Sequence, residues 1–115
     1  MKKVNRELSK VLESMLLDSK TDMPFLLRSL EAHQLKTGEQ TLNVRINYIN
    51  AMLEAIEQVE SELDEQLTEI FNLRYSRGSH LTWEEIADKV HISVRHIYRK
   101  RDYIHYLLAQ ELSLV

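Results

Sequence analysis

Apolar residues return along this chain every three or four positions, the period of a helix buried on one face. Val4, Leu8, Val11, Leu12, Met15 and Leu16 predict a first amphipathic helix over about residues 3–17. The polar run Asp18 to Asp22 interrupts it, and Asp22 can cap a second helix that carries Pro24 in its first turn, where no backbone donor is required. That helix is expected to turn Phe25, Leu26, Leu27 and Leu30 inward. It should stop near Lys36, before Gly38, a residue able to take the left-handed conformation of a helix end. From Leu42 the apolar positions run Leu42, Ile46, Ile49, Leu53 and Ile56, a heptad-like stripe, and then shift register through Val59, Leu63, Leu67 and Ile70. Ser61 with Asp64 three residues on resembles a capping box that can start a new helix at about residue 62; a single helix continuing through Arg74 fits the same residues. Gly78 and Ser79 end this region. Thr82 and Glu85 then make a second capping box, ahead of Trp83, Ile86, Ala87 and Val90 on one helical face. After His91 and Ile92, Ser93 can cap a last helix reaching about Leu112.

No segment alternates like a strand, and two Gly and one Pro in 115 residues leave few breaks. The fold class is all-α. The length suits one domain, or a small domain with an oligomerisation arm. The division expected is residues 1–60 as a helical N-terminal, oligomerising region and residues 61–115 as a helix-turn-helix module. The absence of cysteine removes disulfides and thiolate metal sites. The charged start MKKVNRELSK has no apolar run behind it, and no stretch approaches about 18 consecutive apolar residues. The expectation is a cytoplasmic protein with no signal peptide and no membrane span.

Charge changes the picture more than composition does. The net charge of −3 divides into +2 over residues 1–53, −7 over residues 54–69 and +2 over residues 70–115. Residues 89–101 (KVHISVRHIYRKR) hold five Lys and Arg and no acid. With Ile97 set inward, at about 100° per residue, Ile104 and Leu108 fall within about 20° of it. Arg95 and Arg99 then point the opposite way, with Val94, Tyr98 and Lys100 on the flanks. Two outward guanidinium forks one turn apart are what a helix needs to engage guanine edges in a major groove. Ser93 and the free backbone donors beside it can meet a phosphate. Asp102 and Tyr106 take the outward positions further on, so contact should fade after about two turns. The plainer reading is a helical hairpin with a solvated charged face. The capped preceding helix, with Ala87 at its close-packing point, and the short turn weigh against it.

The segment LTEIFNLRYSRGSHLTWEEIADKVHISVRHIYRKRDYIHYLLAQEL resembles region 4 of bacterial sigma factors. It is closer still to small phage-encoded late transcription regulators of the ArpU and RinA type. In those families an arginine–tyrosine segment closes one helix, a "tWeEIA" segment opens the next, and "iS-R-iYR-r" begins the recognition helix. Leu73-Arg74-Tyr75, Thr82 to Ala87 and Ile92 to Arg101 follow that order. The resemblance covers about residues 61–112, and residues 1–60 carry none. It implies base or phosphate contacts for Ser93, Arg95, Tyr98 and Arg99, with Val94 on the same face. Val94 departs from the polar reader such helices often carry, and His91 stands at a turn position that is often Gly. The full set of residues expected at DNA is Thr82, Lys89, Ser93, Val94, Arg95, His96, Tyr98, Arg99, Lys100 and Arg101.

Other chemistry is weakly signalled. The five histidines show no metal-ligand spacing, and His80 and His96 are assigned to the phosphate side as polar residues. The acids from Glu54 to Glu69 lie around a helix with no nucleophile or metal motif nearby. No enzyme, cofactor or metal is expected. The reading reached is a sequence-specific double-stranded-DNA-binding transcription regulator, encoded by a phage or prophage and acting as a homodimer, because two-fold symmetry doubles a small site. Its rivals are a phage small-terminase-like packaging protein and a sigma-like module that binds RNA polymerase.

Overall fold

The computed structural model describes residues 4–115, so the expected helix start at Lys3 lies outside the described residues. Six helices follow one another: α1 (Arg6–Asp18), α2 (Asp22–Thr37), α3 (Thr41–Glu62), α4 (Glu65–Tyr75), α5 (Trp83–Lys89) and α6 (Val94–Glu111). No strand occurs among the described residues.

The ends of these helices are written locally. The Asn5 side chain accepts from the Leu8 N–H and starts α1, and Gly38 closes α2 with φ of 71°. Between α3 and α4 the chain breaks, but not at Ser61. Leu63 turns extended, and the Asp64 carboxylate caps α4 by accepting from the Leu67 N–H at 2.8 Å. Ser61 instead donates its hydroxyl back to the Gln58 carbonyl at 2.7 Å, which keeps it within α3. The capping box of Thr82 and Glu85 is present in full, and Ser93 caps α6 through the His96 N–H.

One buried cluster gathers Leu12 and Leu16 of α1, Ala55, Ile56 and Val59 of α3, Ile70, Phe71 and Tyr75 of α4, Ile86 of α5, and Ile97, Ile104 and Leu108 of α6. The core therefore runs across the boundary drawn at residue 60. α1, from the N-terminal part, packs on both α4 and α6. Phe71, Tyr75 and Trp83 meet edge to face in sequence, with ring centroids 4.9 and 6.0 Å apart.

The inward face expected for α2 needs correction. Phe25 and Leu26 are exposed, while Met23 is buried and Leu27 and Leu30 are half-buried. The reason is that α2 packs principally on α3. One partner can cover only one arc, and Met23, Leu27 and Leu30 occupy it at spacings of four and three. The stripe on α3 is covered within the chain: Ile46, Ile49 and Ile56 are buried, and Leu42 and Leu53 half-buried. It is therefore core rather than an open face for a second subunit.

Candidate nucleic-acid interface

α5 and α6 are joined by Val90 to Ser93, and the turn is closed by backbone bonds from Val90 to Ile86, His91 to Asp88 and Ile92 to Ala87. His91 takes φ of 58°, the left-handed region that an L side chain enters at a cost. This tight reversal lets α5 pack on α6, with Ile86, Ala87 and Ile97 in one core. Burial of Ile97 sets the rotation of α6, and that rotation turns Arg95 and Arg99 outward.

Both arginines are exposed, and neither has an ion-pair partner among the described residues. Ser93, Val94 and His96 lie exposed at the same end of the helix. Thr82 and Lys89 are exposed at the two ends of α5. The remaining expected residues are held more firmly than the sequence suggested. The Tyr98 hydroxyl donates to the Glu84 carboxylate at 2.6 Å, tying α6 to the start of α5. That bond holds Glu84 below its ordinary pKa and raises the Tyr98 phenol. The Arg101 guanidinium lies over the Tyr98 ring at 4.8 Å and donates to Asp102 at 2.8 and 3.1 Å. Lys100 is half-buried and faces a groove of about 380 Å³ that also holds Arg99, His96, Glu62 and Asp64.

α6 therefore has three long faces. The outward one carries Arg95 and Arg99. The flank with Tyr98, Arg101 and His105 turns toward α5 and α1, while the flank with His96, Lys100 and Tyr103 turns toward the α3–α4 junction.

Behind the first flank is a polar network that sequence reasoning missed. The Glu13 carboxylate accepts from Arg74 through Nε and Nη2, each at 2.9 Å, and from the Tyr75 hydroxyl, and it lies 2.9 Å from Nε2 of His105. The other His105 nitrogen is 2.5 Å from the Ser9 hydroxyl, and His105 is almost fully buried. Burial alone would raise the Glu13 pKa. The bonds from His105, Tyr75 and Arg74 outweigh it and hold the carboxylate below its ordinary value. Burial and the neighbouring Glu13 charge together push Tyr75 well above its ordinary value. Arg74 also donates to the Leu81 carbonyl and lies over the Trp83 ring at 5.3 Å. No local spacing announces partners this distant along the chain. Only Arg74 and Tyr75, standing in the segment that carried the resemblance, offered a signal.

Among the described residues no three His, Asp or Glu side chains gather as a metal site, and no helix is long and apolar enough to cross a membrane. No curated protein and no solved structure matches this sequence. A family model matches residues 27–110, a span that takes in most of α2 and nearly all of the helices after it. By that match the chain belongs to the protein family of unknown function DUF722.

Proposed function

We propose that this protein is a sequence-specific regulator of transcription that binds double-stranded DNA through a helix-turn-helix, with α5 as supporting helix and α6 as reading helix. The observation that carries the reading is that Arg95 and Arg99 are exposed, without an ion-pair partner among the described residues, on the face of α6 opposite the buried Ile97. Planar forks in that position suit the paired acceptors of guanine in a major groove. Ser93 and the first backbone donors of α6 suit a phosphate at the groove edge. The likeness of residues 61–112 to sigma region 4 and to ArpU- and RinA-type phage regulators points the same way. In this reading Tyr98 and Arg101 stiffen the flank of the reading helix, since Glu84 and Asp102 already engage them. Contact confined to about the first two turns of α6 reaches few bases, so two copies on paired half-sites complete the proposal.

Selection of bound sequences from random duplex DNA, followed by Arg95→Ala and Arg99→Ala, tests it. Each variant is expected to lose about 1–3 kcal/mol of specific binding and to relax the preference at its own base position. Unchanged affinity and unchanged site preference in both would remove α6 from DNA recognition. A second reading, a sigma-like module held by RNA polymerase, draws on the exposure of Val94 beside these arginines. Polymerase binding in the absence of DNA, abolished by Val94→Asp, would favour it.

A further inference from the structure

The two shoulders beside α6 differ in charge. On one side lies a cleft of about 540 Å³, where Arg6 and Lys10 of α1 share the lining with Arg74, Trp83 at the start of α5, and Arg101 and Asp102 of α6. Inside it, Arg74 is neutralised by Glu13 and Arg101 is bonded to Asp102. Arg6 and Lys10 remain: both are exposed, and neither has an ion-pair partner among the described residues. Four residues apart on one helix, they stack one turn above the other on the same face. On the opposite side of α6, the groove beside Lys100 is edged by Glu62 and Asp64 of the α3–α4 junction. A duplex with its major groove over Arg95 and Arg99 sends a phosphate strand along each flank of the helix, the groove being about 12 Å wide. In the groove beside Lys100, Glu62 and Asp64 offset Arg99 and Lys100, while the α1 shoulder offers the other strand two cations, Arg6 and Lys10, beyond the pairs already formed.

Resting on the DNA-binding reading above, we infer that α1 forms part of the DNA interface, with Arg6 and Lys10 holding phosphates of the strand that passes the start of α5. This assigns the first helix, which lies outside the segment of resemblance, a part in binding as well as in the core. The contacts are with backbone rather than base edges, so they add affinity and orientation without sequence preference.

The test is a salt titration of duplex binding by the full chain and by the double variant Arg6→Gln, Lys10→Gln. Both residues are exposed, and glutamine keeps helix propensity, so the variant should melt like the wild type. Losing two phosphate contacts should lower the slope of log K against log salt by roughly 2, and weaken binding roughly tenfold or more at about 0.1 M salt, equally on preferred and scrambled sequences. The charge-keeping pair Arg6→Lys, Lys10→Arg should retain the wild-type slope. A wild-type protein that binds duplex while the glutamine variant keeps its slope would overturn the α1 assignment alone. A wild type that binds no duplex would overturn the DNA-binding reading and this inference with it. Saturable uptake of inorganic phosphate by the free protein, lost in the glutamine variant with the duplex slope unmoved, would make the cleft a small-anion site and overturn the α1 assignment.

Discussion

Glu13 shows how one side chain can be decided entirely by its neighbours. In the sequence it is an acid on the polar side of an amphipathic helix, yet in the fold it receives Arg74, Tyr75 and His105 together. Its pKa lies below the ordinary carboxylate value of 4.5. A depressed carboxylate contributes stability that is complete above its unfolded pKa and is lost as pH falls through the folded one. Thermal stability should therefore decline as pH drops below about 4.5, and Glu13→Gln should flatten that acid limb. At neutral pH the same variant should cost about 1–3 kcal/mol, because buried donors lose their partner. Melting curves from pH 3 to pH 7 decide both points, and an acid limb unchanged by the variant would remove Glu13 from the account. His91 permits a prediction of opposite sign. Its φ of 58° strains an exposed residue, so His91→Gly should stabilise the protein by about 0.5–1 kcal/mol. His91→Ala should not; a chemical-denaturation midpoint that falls with glycine would contradict the strained turn.

At the scale of elements, the α5–α6 pair depends on close approach. Ala87 is 2% exposed in the middle of α5, and its carbonyl accepts from the Ile92 N–H in the turn. Ala87→Pro removes a helix hydrogen bond and adds a ring clash, at about 3 kcal/mol or more. Ile97→Asp places a carboxylate where no water and no partner reach it. Both variants should lose cooperative melting by circular dichroism; native-like melts would mean that this pair is not packed through Ala87 and Ile97. The caps at Thr82 and Ser93 were legible in the sequence because a capping bond spans three residues. The break between α3 and α4 was legible only to within a few residues, since Ser61 and Asp64 are both good capping residues. The competition went to Asp64 because Leu63 leaves the helix just before it.

Across the whole molecule, 52 Å in its longest dimension, α2 and the first half of α3 form a hairpin whose outer side carries Phe25, Leu26, Leu35, Val44 and Tyr48 in the open. The buried stripe beneath them changes what a charge there should do. Ile49→Asp is expected to unfold the hairpin rather than to release intact monomers, because Ile49 is 6% exposed within one chain. Sedimentation and far-UV circular dichroism on the same sample separate the outcomes: a folded monomer derived from a wild-type dimer would make this stripe a subunit interface. The outward face of α6, the α1 shoulder and the Glu13 network also meet at this scale, since one core holds α1, α4 and α6 together.

The sequence by itself determined what depends on nearest neighbours. Periodicity fixes which helices form, caps fix where they end, and the spacing of Ile97, Ile104 and Leu108 from Arg95 and Arg99 fixes which side of α6 faces out. These signals travel no further than a few turns of helix. Tertiary structure decided the rest. It chose which arc of α2 finds a partner, it bound Tyr98 to Glu84, and it drew Glu13 to Arg74 and Ser9 to His105 across 61 and 96 residues of chain. It also brought Arg6 and Lys10 beside the last turns of the basic stripe. Such partners share no sequence spacing, because what sets their distance is the packing of whole helices around a common core.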